Sequence, residues 1–259
     1  MTGQFLKREC EFHNRLAESD FRARWLVHRA TTGLYDASVY WEPVWSRVQL
    51  RGKTVVDLGC GSGWMVAELA RRGAFVVGLD ISGGLLQVAQ ARLASRIAAD
   101  RYGLILADAH RLPFPDGSFD YVFFNTGILH HLDFEQACAE VARILRPGGQ
   151  AFFVEPLNRH PLVRLFRRLT PKARTPDERP LDPGAFAQAQ RYFRKVSHTE
   201  YYVVTVFVAA LNLISPTLGR LILPLFRAID NFLLARYPGL GRYAWIVRLE
   251  LATPRVSAS

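Results

Sequence analysis

The sequence predicts an α/β fold, a doubly wound and mostly parallel sheet, and three observations predict it. A short apolar run at residues 54–58, TVVDL, passes directly into a three-glycine turn, Gly59-Cys60-Gly61-Ser62-Gly63. A helical stretch over 64–72 follows at once, with Met65, Leu69 and Ala70 placed to face a sheet. Two more apolar runs, at 75–80 and 104–109, repeat the pattern of a buried strand ending near an acid, Asp80 and Asp108. Strand, glycine turn and helix together form the opening unit of a nucleotide-binding α/β fold.

The composition of the turn narrows the ligand. Glycine tolerates φ > 0 and lets backbone approach a ligand closely. A dinucleotide turn reads G-x-G-x-x-G, with a third glycine packing helix on strand and phosphate at the helix N-terminus. Here the pattern is G-x-G-x-G, and Trp64 stands where that third glycine belongs. Asp57 also precedes the turn. A carboxylate there repels pyrophosphate and suits a cation such as an amino-acid ammonium; the plainer reading is a turn or helix-capping acid. Asp80 lies roughly 20 residues beyond the glycines, where a carboxylate can accept from both ribose hydroxyls. Its plainer reading is an N-cap for the helix starting near Gly83, a task Ser82 serves equally well.

VVDLGCGSG resembles the first motif of the class I S-adenosylmethionine (SAM)-dependent methyltransferases, in the small-molecule branch that includes the ubiquinone and menaquinone pathway enzymes. The resemblance runs from about Lys53 to Glu155 and continues in LPFPDGSFD at 112–120, in LHH at 129–131 and in LRPGGQAFFVEP at 145–156. It implies a seven-stranded Rossmann-like sheet whose last strand is antiparallel and inserted beside the fifth. It implies SAM as methyl donor, leaving as S-adenosylhomocysteine. By the same resemblance Asp57, Gly59, Cys60, Gly61, Gly63, Asp80, Ile81, Asp108, Ala109 and Asn125 are expected to bind it. Asp108 and the Ala109 N–H would read the adenine edge. No metal is expected.

Four strands are thus placed by 124, the fourth at 121–124, with the tight Pro-Gly loop before it. Enzymes of the family that methylate base amines show an acid or Asn, two prolines and an aromatic here, whereas this sequence has Asn125-Thr-Gly-Ile, without the prolines or the aromatic. In the natural-product sugar O-methyltransferases of the family, histidines at the place of His130 and His131 take the hydroxyl proton. An imidazole with a pKa near 6.5 is suited to that around neutral pH; alternatively such a His only hydrogen-bonds backbone. A helix is expected over 133–146, stopped by Arg146-Pro-Gly-Gly, then a fifth strand over 150–155. Glu155 at its end is a candidate acid, base or anchor.

The flanks are less ordered in pattern. Residues 1–50 read as an aromatic-rich helical lid with breaks at Thr31-Thr-Gly and Trp41-Glu-Pro43; Tyr35 and Trp41 are its substrate-facing candidates. The core spans 51–158, a basic and apolar cap region 159–240, and the last strand with a frayed tail 241–259, all within one domain. Residues 1–155 are charge-neutral, so the whole net charge of +10 lies in 156–259, where sixteen Lys and Arg face six acids. That half holds a basic amphipathic helix near 161–169, an Arg174-bearing turn that is a candidate anchor for an anionic acceptor, and apolar runs interrupted at Asn212, Pro216, Arg220 and Pro224. No run reaches the roughly 18–20 residues a spanning helix needs. The expected reading is a buried insertion capping a substrate pocket or a dimer contact. The rival is a peripheral patch on anionic lipid that admits a lipid-borne substrate. Nucleic acid is disfavoured, because no groove-reading or base-stacking motif accompanies the charge.

Three scattered cysteines and an N-terminus without an apolar core point to a reducing, cytoplasmic setting. The reading that follows is methyl transfer to a hydroxyl oxygen of a natural product, sugar or lipid-linked metabolite. The alternatives are C-methylation of an isoprenoid diphosphate or quinone precursor, and a SAM-binding or membrane-associated interaction protein without turnover.

Overall fold

The computed structural model describes residues 34, 36–125, 129, 132–169 and 180–255. Its seven strands are β1 (Thr54–Leu58), β2 (Phe75–Asp80), β3 (Tyr102–Leu106), β4 (Phe119–Asn125), β5 (Leu145–Pro156), β6 (Phe193–Tyr201) and β7 (Ile246–Pro254). They form one sheet in the order β3-β2-β1-β4-β5-β7-β6. The pairs among β1 to β5 are parallel, whereas β7 runs antiparallel between β5 and β6. This is the expected doubly wound topology with its inserted last strand. The order reverses at β1, between β2 and β4, and such a switch point opens a crevice at the strands' C-terminal ends.

Helices cover both faces: α1 (Ala37–Trp45), α2 (Trp64–Arg71), α3 (Gly83–Ala94), α4 (Phe134–Ile144), α5 (Pro161–Leu169), α6 (Phe186–Ala189), α7 (Phe207–Ile214) and α8 (Pro216–Arg236). Alternate strand residues enter opposite cores. Val56, Leu58, Phe124 and Phe153 pack with α4 on one side, while Val55, Phe123, Phe152 and Val154 pack with α1 and α2 on the other. Both faces are buried, so these strands read as continuous apolar runs instead of alternating ones. Each fully buried Phe contributes roughly 1.5–3 kcal/mol.

The elements that the sequence reading placed differently have local causes. β3 stops at Leu106, two residues before Asp108, because the Asp108 carboxylate turns the chain by accepting from the His110 N–H. α4 ends at Ile144 and β5 starts at Leu145, where pairing with Phe119 begins ahead of Arg146-Pro-Gly-Gly. α1 runs through Pro43, and α8 runs unbroken through Pro224. β6 lies inside the stretch expected to be cap, so 159–240 is partly sheet. β7 extends to Pro254, so 252–254 are paired strand instead of frayed tail.

Candidate functional site

The glycine turn is closed against the end of β2. The Gly59 and Cys60 N–H groups both donate to the Leu79 carbonyl, at 2.7 and 2.9 Å, and Gly63 donates to Cys60 at 2.9 Å. Gly61 donates to Asp80 Oδ2 at 2.8 Å. Gly59, Gly61 and Gly63 all have positive φ. Gly63 does what the missing third glycine would do: a Cβ there would sit 3.0 Å from Ala89 Cβ, so its absence lets the turn meet α3. At Gly61 a Cβ would meet nothing within 4 Å, leaving open space over the turn. Arg92 of α3 donates to the Ser62 hydroxyl and holds the turn from the side.

Asp57 lies beneath this turn. Its side chain is buried, neither carboxylate oxygen has a hydrogen-bond partner, and burial pushes its pKa well above the ordinary range, with the nearby Asp80 charge adding to the effect. It caps no helix, since the N-cap of α2 is Gly63. A buried carboxylate without a partner is costly, and a cation brought close would relieve it. The same burial raises the Cys60 thiol far above its usual range, so Cys60 is an inert packing residue here.

Asp80 ends β2 and divides its two oxygens: Oδ2 accepts from Gly61 and Oδ1 from the Ser82 N–H, at 2.8 Å each. Ser82, not Asp80, is the N-cap of α3, its hydroxyl accepting from Leu85. The capping alternative for Asp80 therefore falls away. Each of its oxygens keeps a further lone pair for a hydroxyl donor. Ile81, half-buried, follows it on the chain.

Asp108 is half-buried, and its Oδ1 accepts from the His110 N–H at 2.9 Å and meets His110 Nδ1 at 2.6 Å. Sequence reasoning missed His110; an aspartate two residues ahead of a histidine in a loop was the available signal. Ala109 is buried beside it. The loop that follows is clamped by Arg143, which donates to the Leu112 and Phe114 carbonyls and to Asp116 and Glu140.

At the end of β4, the Asn125 side-chain oxygen Oδ1 accepts from Trp41 Nε1 at 3.1 Å. Trp41 is fully buried, near-parallel to Trp45 and against Phe123. The expectation that Trp41 faces a substrate is corrected: it is a core residue that positions Asn125, and its indole N–H is spent doing so. Glu155, also buried, accepts from the Leu129 N–H at 3.2 Å. Of its three expected roles, the geometry favours the anchor, since it ties β5 to the stretch after β4. His130, His131, Tyr35 and Arg174 lie outside the described residues. The structure thus gathers Asp57, the glycine turn, Asp80 and Ile81 at the ends of β1 and β2, with Asn125 and Glu155 at the neighbouring strand ends.

Residues 56–153 match a family model described as a methyltransferase domain. Among curated proteins, the chain is 44% identical over 100 residues to "Methyltransferase GfsG" of Streptomyces halstedii, covering 38% of this chain and 36% of that one. It is 34% identical over 121 residues to a ubiquinone/menaquinone biosynthesis C-methyltransferase of Geobacter sulfurreducens, 46% of each chain. The chain thus spans less than half the length of these relatives. Among solved structures, geranyl diphosphate C-methyltransferase from Streptomyces coelicolor A3(2), in complex with Mg2+, geranyl diphosphate and S-adenosylhomocysteine, superposes with a TM-score of 0.64 at 13% identity, over 99% of this chain and 100% of that one. At that identity the likeness speaks for the fold.

Proposed function

We propose that this chain, whose residues 56–153 match a methyltransferase-domain model, transfers a methyl group from SAM to a hydroxyl oxygen of a small molecule: a natural product, a sugar or a lipid-linked metabolite. The observation that carries the proposal is the closed turn. Four of its N–H groups are already bonded, three of them to the end of β2, and an unpartnered carboxylate lies beneath them. A turn of that kind has little to offer a pyrophosphate and suits a ligand that brings a cation.

The residues present fit such a donor. Asp57 supplies negative charge for the ammonium side, the free space above Gly61 admits backbone-close approach, and Asp80 keeps lone pairs for two ribose hydroxyls. Asp108 and Ala109 face the adenine in this reading, with Asp108 held in one rotamer by His110. When bound, SAM supplies a methyl already activated by the sulfonium charge. The protein's own work is then alignment of the acceptor and removal of its proton. Glu155 accepts from the Leu129 N–H, and we draw the general base from the two residues next in sequence, His130 and His131. A base of this kind is what supports the hydroxyl acceptor in this reading. Methylation at carbon of an isoprenoid diphosphate or quinone precursor is the second reading, favoured by the likeness to C-methyltransferases.

The test is a paired one. Calorimetry with SAM, and turnover against hydroxylated metabolites, isoprenoid diphosphates and lipid-linked sugars, is run on the parent and on His130→Ala/His131→Ala. SAM binding should persist while turnover falls by roughly 10²–10⁴-fold, the usual contribution of a general base. Unchanged turnover removes the base role, and tight NADH binding without SAM binding removes the whole reading.

A further inference from the structure

The helical hairpin between the last two strands carries an apolar face that nothing in the described fold covers. α8 turns Gly219, Leu223 and Asp230 inward: Gly219 meets Asn212 of α7, and Asp230 accepts from the Val204 and Thr205 N–H groups ahead of α7. On another side it exposes Leu218, Leu221, Leu225, Ile229 and Phe232, with Leu221 at 77% and Phe232 at 68% exposure. At 3.6 residues per turn these five fall within about 80° of arc, along about 21 Å of helix. Ile214, at the end of α7, is 78% exposed as well. An exposed stripe of this size, on a helix that already buries a different face, marks an interaction surface.

Charge indicates the occupant. From residue 202 to 245 the one acid is Asp230, which is buried and bonded to backbone N–H groups, while Arg220, Arg236 and Arg242 are exposed. Arg236 lies 5.0 Å over the Tyr237 ring and Arg242 lies 4.8 Å over Tyr243, aromatic and basic pairs of the kind that suit a membrane–water interface. No described helix is long and apolar enough to cross a membrane, so the surface would rest on a bilayer, not span it.

Topology sets the surface beside the crevice. Pro156 of β5 and Tyr201 of β6 both pair with Ile246, the first residue of β7. The hairpin therefore leaves and re-enters the sheet at the same edge where β1, β2 and β4 end. We propose that α7 and α8 dock this face on an anionic bilayer. Delivery of a lipid-borne acceptor from that bilayer to the crevice is a corollary that rests on the methyl-transfer reading; the docking does not.

The full chain is floated with vesicles of phosphatidylcholine alone and of phosphatidylcholine with phosphatidylglycerol, at low salt and at about 1 M salt, where screening shortens to about 3 Å. Binding is expected to the anionic vesicles at low salt and to weaken sharply at high salt. Leu221→Ser/Phe232→Ser should weaken it about tenfold or more, by lost apolar burial. Arg236→Gln, on the same side of α8 as the stripe, should weaken it about fivefold. All these side chains are exposed, so circular dichroism and SAM calorimetry should match the parent. Absence of flotation at low salt overturns the proposal. So does a dimer, seen by light scattering, that Leu221→Ser/Phe232→Ser splits while flotation stays unchanged. Flotation without methyl transfer leaves the docking standing and removes only the corollary.

Discussion

At the scale of single residues, Asp57 is the most consequential side chain in the described site. Its pKa is raised by burial first and by the Asp80 charge second. The unfolded chain loses this proton near the ordinary value of about 3.9, while the folded chain keeps it. Below that value Asp57 costs nothing through ionisation. As pH rises from there toward the folded pKa, the folded state binds the extra proton and stability falls, by up to about 1.4 kcal/mol per pH unit. Asp57→Asn should therefore unfold at a higher temperature than the parent near pH 7 and at a similar one near pH 4, as scanning calorimetry at the two pH values would show. The same variant should bind SAM more weakly, and the parent should release a proton on binding, visible as a buffer-dependent heat. A stability gain and a binding loss from one substitution are what a binding carboxylate produces and a structural one does not. That an acid precedes the turn was legible in the sequence. That it is buried without a partner was not, because burial depends on β2 and β4, which flank it at Gly78 and Phe123. Trp41 is the opposite case: an aromatic ahead of the first strand looks the same whether it faces ligand or core, and packing against Phe123 and Trp45 decides.

At the scale of elements, the α7–α8 hairpin shows how a local residue choice makes a packing geometry. Gly219 is the closest point: a Cβ there would fall 1.8 Å from Asn212 Oδ1 and 3.5 Å from Val208 Cγ1. Gly219→Ala should thus force the helices apart and lower stability by about 1–3 kcal/mol, read as a drop in the thermal midpoint with faster hydrogen exchange confined to α7 and α8. The sequence signalled Pro224 as a break. The helix continues because Pro removes only one N–H and α8 is held by its inward face, with Ser215 capping its start and Pro216 in the first turn, where a missing N–H costs nothing. β6 went unread for a related reason. Its nine residues are mostly half-exposed or exposed, so they lack the apolar run that announced β1, β2 and β4; its place is set by pairing with β7.

At the scale of the whole molecule, the inserted antiparallel β7 joins the N-terminal helix to the sheet. Arg248, buried, donates to the Tyr40 carbonyl at 2.7 Å, to Tyr201 Oη at 2.6 Å and to Glu250 at 2.8 Å, and Glu250 in turn accepts from Arg47. Replacing Arg248 with Met keeps much of the volume but removes the charged donor shared by the Tyr40 carbonyl, the Tyr201 hydroxyl and Glu250. A loss of about 3–5 kcal/mol is expected, lowering the thermal midpoint by about 6–20 °C at the usual conversion for chains near this length. A change under about 1 kcal/mol would mean that β7 is held by its backbone ladder alone. The charge asymmetry belongs to this scale too. The basic excess sits entirely in residues 156–259, so the long-range field is set by that half and not by the strands that carry the glycine turn.

What the sequence by itself determined is the turn chemistry and the strand runs that lead to it. Three glycines between an acid and a helix, a second acid about 20 residues on, and apolar runs ending near acids are all encoded in adjacent residues, because a tight turn and a buried parallel strand impose local demands on φ and on side-chain polarity. Only the tertiary structure decided that Ser82 caps α3 and leaves Asp80 to the turn, that Trp41 serves Asn125, that Glu155 holds Leu129, and that the apolar side of α8 faces outward. Beyond the local Ser82 cap, these depend on which of several chemically competent groups comes within reach from far along the chain: 19 residues from Gly61 to Asp80, 84 from Trp41 to Asn125 and 26 from Leu129 to Glu155. The order in which the strands assemble sets those distances, and composition along the chain does not.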